Sequence, residues 1–260
     1  MISQYELSKL QERASIGDVT AIGELIDFYL AENDLKHAQM EAERLKYISS
    51  SAAYRKLGFI YVNGLLGETN TELAKSYFQK AYELGDETSG YNLALILIKE
   101  GRDDEAVPYL TSGVGNNHIP SIKLLANLYI KGEVLSKDLN IALALLKKVY
   151  ELGELSVVSS LGKVCYQLKN YEEAFTYFSL GAQNKDLDSL YYLGLCYANG
   201  LGIKQDFAKA KFYYEQGANL NEPRCLYNLS LYYRNGVGVE QNIVLADNLL
   251  EQARANGFKN

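Results

Sequence analysis

Two histidines, His37 and His118, are the only side chains in this 260-residue chain whose ordinary proton affinity suits acid–base work near neutrality. Hydrolysis or proton transfer needs such a group in reach of a partner and of a reacting atom. His37 stands four residues before Glu41 in a helical stretch, which predicts an exposed side-chain pair. His118 precedes Ile119 and Pro120 in a turn between repeats and reads as a surface loop residue. The carboxylate runs Asp103-Asp104-Glu105 and Glu172-Glu173 fall in first helical turns, where negative charge complements the helix dipole. Cys165, Cys196 and Cys225 are odd in number and lack zinc-type spacing, so they read as packed, unpaired thiols in a reducing compartment. The Gly-x-Gly runs at Gly200 and Gly236 lack the following Lys-Ser or Lys-Thr and the preceding strand that a phosphate loop requires. The expectation is a protein that is not an enzyme, with no catalytic residue, no metal and no cofactor.

The elements that carry these residues follow from a repeat. A leucine recurs as Leu25, Leu57, Leu93, Leu125, Leu161, Leu193 and Leu229, followed by Ile26, Gly58, Ala94, Ala126, Gly162, Gly194 and Ser230. That second column is small in every copy but the first, as a close approach of two helices demands. Tyr29, Tyr61, Leu97, Tyr129, Cys165, Tyr197 and Tyr233 lie one helical turn on, and together these columns mark a first helix. A second helix carries Ala38, Ala74, Ala106, Ala142, Ala174, Ala210 and Ala246. Four residues earlier stand Asp34, Asn70, Arg102, Asp138, Asn170, Asp206 and Asn242, helix-capping side chains in all copies but that of Arg102. Large residues such as Tyr77 with Phe78, or Tyr213 with Tyr214, follow the alanine and fill the space between layers.

The repeats alternate between short and long, and the difference lies in the turn between the two helices. The clearest long turns read Gly200-Leu201-Gly202-Ile203 and Gly236-Val237-Gly238-Val239, where the β-branched residue is expected to tuck into the core. In the other long turns Leu66 and Val134 replace the second glycine. Residues 1–17 form a capping helix and 18–260 the repeat body, in units of approximately 18–49, 50–85, 86–117, 118–153, 154–185, 186–221 and 222–257. At the far end, the last apolar face is either softened by its own polar residues or covered by a partner.

Such periodicity predicts an all-α stack in which each unit buries its apolar face against its neighbours. Hydrophobic content of 48% with 22% charged residues, and no apolar run long enough to span a bilayer, fit a soluble folded chain. The start, MISQYELSKLQERAS, has helical spacing instead of a secretory pattern, so the expected location is cytoplasmic. A net charge of −6 argues against nucleic acid and anionic membranes as partners.

These columns resemble the Sel1-like repeat family, related to the tetratricopeptide repeat. The match is carried by Leu-Gly, Tyr, Gly-x-Gly-Val, Asp, Ala and an aromatic pair, and is most specific in the repeats that start at Leu57, Leu125, Leu193 and Leu229. Those at Leu25, Leu93 and Leu161 lack the glycine loop and look closer to tetratricopeptide hairpins. The resemblance implies a right-handed α-solenoid of antiparallel helix pairs that serves as a protein-binding scaffold. It also implies, for bacterial members, proteins that neutralise secreted toxins. A secreted subgroup staples each repeat with a disulfide, for which this chain lacks the paired cysteines.

If the first helices stack as in the tetratricopeptide relatives, the concave groove takes positions six and three before the small site and one, four and five after it. This register places Arg55, Phe59, Asn63, Tyr91, Lys99, Lys123, Asn127, Lys131, Lys163, Tyr166, Tyr191, Asn199, Tyr227 and Arg234 in a protein-binding groove. Counting Arg224, seven cations there face only Asp27 and Asp188, a basic groove on an acidic body. The expected function is a non-catalytic, monomeric adaptor that binds an acidic peptide or protein. The alternative is a bacterial immunity protein that covers a toxin, and a hydrolase ranks behind both because two isolated histidines form no cluster.

Overall fold

A computed structural model describes residues 3–259. Fifteen α-helices run along it, and there is no strand among the described residues. Helix α1 (Gln4–Ser15) comes first and packs on α2, burying Leu10 and Ala14. Helix pairs follow: α2 (Val19–Ala31) and α3 (Leu35–Leu45), α4 (Ser51–Asn63) and α5 (Thr71–Glu83), α6 (Glu87–Lys99) and α7 (Asp103–Gly115). Next come α8 (Ile119–Lys131) and α9 (Leu139–Glu151), α10 (Val158–Gln167) and α11 (Tyr171–Gln183), α12 (Leu187–Asn199) and α13 (Phe207–Ala218), then α14 (Pro223–Asn235) and α15 (Ile243–Ala255). A single 3-10 turn, Leu155–Val157, leads into α10. The fold class is the all-α solenoid of helix pairs expected from the columns. The chain forms two compact units, Met1–Leu125 and Ala126–Asn260.

Most of the helices begin on a side-chain cap. Asp34, Asn70, Asp138, Asn170, Asp206 and Asn242 each accept a hydrogen bond from the backbone of the second helix they open, whereas Arg102 makes none. A second column, not anticipated above, opens the first helices eight residues before the small site. Asp18, Ser50, Asp86, Asp186 and Glu222 accept in the same way, and Glu154 does so for the 3-10 turn that leads into α10. Each such bond satisfies a donor that the helix itself leaves free.

The small column is explained by what lies over it. A Cβ at Gly58 would stand 2.6 Å from the Phe78 ring, one at Gly162 2.5 Å from Phe178, and one at Gly194 2.5 Å from Cδ1 of Tyr214. These rings sit four residues after the conserved-type alanine of the partner helix and are buried. In the copies with Ala94, Ala126 and Ser230, that place holds Leu110, Leu146 and Leu250, and where Ile26 stands it holds Ala42. Volume is traded across the pair: large against glycine, leucine against alanine or serine, alanine against isoleucine. Close packing leaves no room for both members to be large.

The long turns depart in one respect from expectation. Gly200 and Gly236 close their helices in the left-handed conformation, at φ 68° in both. Gly202 fits against the preceding pair, where a Cβ would lie 2.7 Å from the Glu172 nitrogen and nearer still to the Tyr171 carbonyl. Ile203, however, is exposed, and Leu201 packs in the core instead. Val239 follows the expectation by packing with Val237 against the last core cluster.

Candidate functional site

In the first unit, the groove residues fall into two groups. Arg55 reaches forward from α4 and places Nη1 2.5 Å from Oδ2 of Asp86, the cap of α6. Tyr91 of α6 lies edge-on to His118, with ring centres 6.0 Å apart. His118 occupies the capping place of α8, with Nδ1 2.8 Å from the Ser121 hydroxyl and Nε2 3.4 Å from that of Thr88. It is half-buried, not the free loop residue expected, and burial pushes its imidazole below the ordinary value while Glu87 and Asp86 pull the other way. Phe59, Asn63, Lys99 and Lys123 are exposed. Asn63 donates through Nδ2 to the Phe59 carbonyl at 2.8 Å.

The second unit carries a four-membered ion network on its own first helices. Asp188 of α12 accepts from Lys163 of α10 at 2.7 Å and from Arg224 of α14 at 2.7 Å. Arg224 also meets Glu222, the buried cap of its own helix, at 2.6 Å, and its guanidinium lies 4.4 Å over the Tyr191 ring. Burial alone would raise the Asp188 carboxyl, but the hydrogen bonds and charges of Lys163 and Arg224 outweigh it and hold the group below the usual carboxylate range. Tyr166 packs between Tyr171 and Tyr192, at 5.4 and 5.1 Å. Tyr227 stacks on Phe258 at 4.2 Å. Asn127, Lys131 and Asn199 are exposed, and Arg234 pairs with Asp247 of α15.

Two consequences correct the sequence reading. The positions expected to line a groove are not an open row of cations: Arg55, Lys163, Arg224 and Arg234 each have a carboxylate partner. Asp86, Glu222 and Asp247 supply part of that charge from cap and second-helix positions, outside the five groove positions that had been counted. The column three residues before the small site also proves to join repeats, since Arg55, Tyr91 and Tyr191 each engage the start of the next first helix. Tyr227 is covered in the same manner by Phe258. The capping column was legible in the sequence as Asp18, Ser50, Asp86, His118, Glu154, Asp186 and Glu222; Phe258 had no such signal.

The remaining chemistry-bearing residues hold structural places. His37 pairs with its own cap Asp34 at 2.6 Å and stacks on Tyr29, whereas Glu41 pairs with Arg44. The three cysteines are free and buried, and burial pushes the thiols of Cys165 and Cys196 up to about 11 and about 12. Among the described residues, no group of three His, Cys, Asp or Glu side chains is placed to hold a metal, and no helix is long and apolar enough to cross a membrane.

Comparison with known proteins agrees with this architecture. The Sel1 repeat model matches residues 51–86, 120–154, 155–186, 187–222 and 223–258, so it includes the short Leu161 copy that had looked closer to tetratricopeptide hairpins. The DAP3-binding cell death enhancer 1 of Rattus norvegicus is 29% identical over 185 residues, covering 68% of this chain and 35% of that protein. A protective antigen of uropathogenic Escherichia coli, which displays an SLR fold, superposes with a TM-score of 0.78 at 20% identity, over 96% of this chain and 56% of its own. A Sel1 repeat protein from Oxalobacter formigenes has a TM-score of 0.63 at 24% identity, over 89% of this chain and 96% of its own. The chain therefore spans about a third of the curated relative and little more than half of the first of these structures. With five matched repeats over most of its length and helix pairs of the required form, this chain belongs to the Sel1 repeat family.

Proposed function

We propose that the chain is a non-catalytic adaptor that holds a protein or peptide on the face built by its first helices. Sel1 repeat proteins generally mediate protein–protein interaction, and the rat relative's name records binding to a protein. The observation that carries the reading is the column five residues after the small site. Ala31, Asn63, Lys99, Lys131, Gln167, Asn199 and Asn235 are exposed in every copy, and six of the seven bring an amide or ammonium group. Packing does not require polarity of that kind at a surface site, whereas recognition of carboxylates and peptide groups does.

An acidic contact is favoured at Lys99 and Lys131, which are exposed and have no ion pair among the described residues. Lys163 is a poor choice for testing this, because its reversal would set a carboxylate against Asp188. The three buried free thiols suit a reducing compartment, in keeping with a cytoplasmic adaptor.

The test is quantitative co-purification from the native cell with the parent protein and with the Lys99→Glu/Lys131→Glu variant. A partner retained at low salt by the parent and lost from the variant is the expected result. Recovery of the same proteins by both, at low and high salt alike, would count against the acidic contact. Failure to retain any protein would count against the adaptor itself.

A further inference from the structure

One position on the first-helix face is used differently in the first unit. The residue after the small site is Asp27, Phe59, Leu95, Asn127, Lys163, Leu195 and Leu231 in successive copies. Aspartate, asparagine and lysine at this place show that the helix pair packs without an apolar group there. Leu195 and Leu231 are half-buried, but Phe59 is 48% exposed and Leu95 39%. These two large apolar side chains stand at matching places on α4 and α6, helices whose successive repeats are tied by the Arg55–Asp86 bridge.

The surroundings of the pair are polar and lean one way. Asn63 and Lys99 lie one turn further along the same two helices, both exposed. The Lys99 ammonium has no ion pair among the described residues. Arg55 is 44% exposed and engages Asp86 through Nη1, and that aspartate is only 7% exposed. The charge this patch offers to an approaching molecule is therefore positive, around a centre that gains from leaving water.

We infer that Phe59 and Leu95 form a docking patch for an extended segment of another protein that carries two bulky apolar side chains with an aspartate or glutamate beside them. The apolar side chains would cover Phe59 and Leu95, and the carboxylate would meet Lys99. First helices of successive repeats stand roughly 10 Å apart, which a polyproline-II segment spans in about three residues with both side chains on one face, so the two apolar residues should be three apart. The inference rests on the adaptor reading and assigns its contact to the first unit.

The test uses the full chain to select from a randomised peptide library displayed on phage, followed by titration of the enriched peptides by fluorescence anisotropy. The expected consensus is apolar-x-x-apolar with a neighbouring acid. Phe59→Ala and Leu95→Ala should each weaken binding about tenfold, and Lys99→Gln should weaken it and reduce its salt dependence. Circular dichroism would confirm that each variant is folded. Val244→Ala, an exposed second-helix position outside the first-helix face, should bind as the parent does. Enriched peptides without the acid, or binding untouched by Phe59→Ala and Leu95→Ala, would overturn this inference. If instead Asn199→Ala, on the second unit, alone abolished binding, the adaptor reading would survive and this patch would not. No enrichment at all would count against both.

Discussion

Replacing Gly58 by alanine sets two effects of opposite sign against each other. In a helix interior the change from glycine to alanine favours folding by about 1 kcal/mol. Here, however, the added Cβ would lie 2.6 Å from Cδ1 and Cε1 of Phe78 and 2.9 Å from Cζ. Comfortable carbon contacts are nearer 3.5 to 4 Å, so the ring or the helix must move by roughly 1 Å. Phe78 is 1% exposed, enclosed by the core on which its helix packs. Overpacking of this kind costs about 1–3 kcal/mol, so Gly58→Ala should be destabilising on balance, by about 1 kcal/mol. The repeat suggests the control: copies with Ala94 and Ala126 carry Leu110 and Leu146 opposite. In a Phe78→Leu background Gly58→Ala should therefore stabilise, which makes the coupling between the two sites about 2 kcal/mol. Urea unfolding of the four proteins, followed by far-ultraviolet circular dichroism, measures it. If Gly58→Ala raised the midpoint in the parent, or lowered it equally in both backgrounds, the volume trade across the helix pair would be refuted.

Two further outcomes follow from the caps. The His118 imidazole has a folded value below its unfolded one, so its contribution to stability is present above about pH 6.5 and is lost as the pH falls through that value towards the folded one. Between pH 7.5 and 5 the parent should lose more stability than His118→Asn, and equal losses would contradict the half-buried neutral ring. Asp206→Ala should cost about 1 kcal/mol, because it removes the acceptor of the Lys209 backbone N–H. Arg102→Ala, where no side-chain cap exists, should shift the urea midpoint less, and a larger shift there would show that the cap column is not what opens these helices.

Much of the fold was legible because helical repetition is a local matter. The alanine column and the Asp/Asn column mark where second helices start, and the structure returns a capping bond at each of Asp34, Asn70, Asp138, Asn170, Asp206 and Asn242. A cap and the backbone N–H that donates to it lie within three residues, so no distant part of the chain can alter the pattern. The site was less legible. Lys163 and Arg224 read as groove cations, but both are held by Asp188, from a different repeat. His37 was matched to Glu41 by helical spacing and instead turned to its cap Asp34.

By itself, then, the sequence determined the helix pairs, their caps and the family, because these depend on spacing within a few turns. Tertiary structure alone decided which glycine faces which ring, which cations are spent on neighbouring repeats, and that Phe59 and Leu95 remain uncovered. Gly58 and Phe78 are twenty residues apart in the chain and Lys163 and Asp188 twenty-five. Whether such residues touch is settled by how the helices stack, and burial and charge pairing follow from that contact.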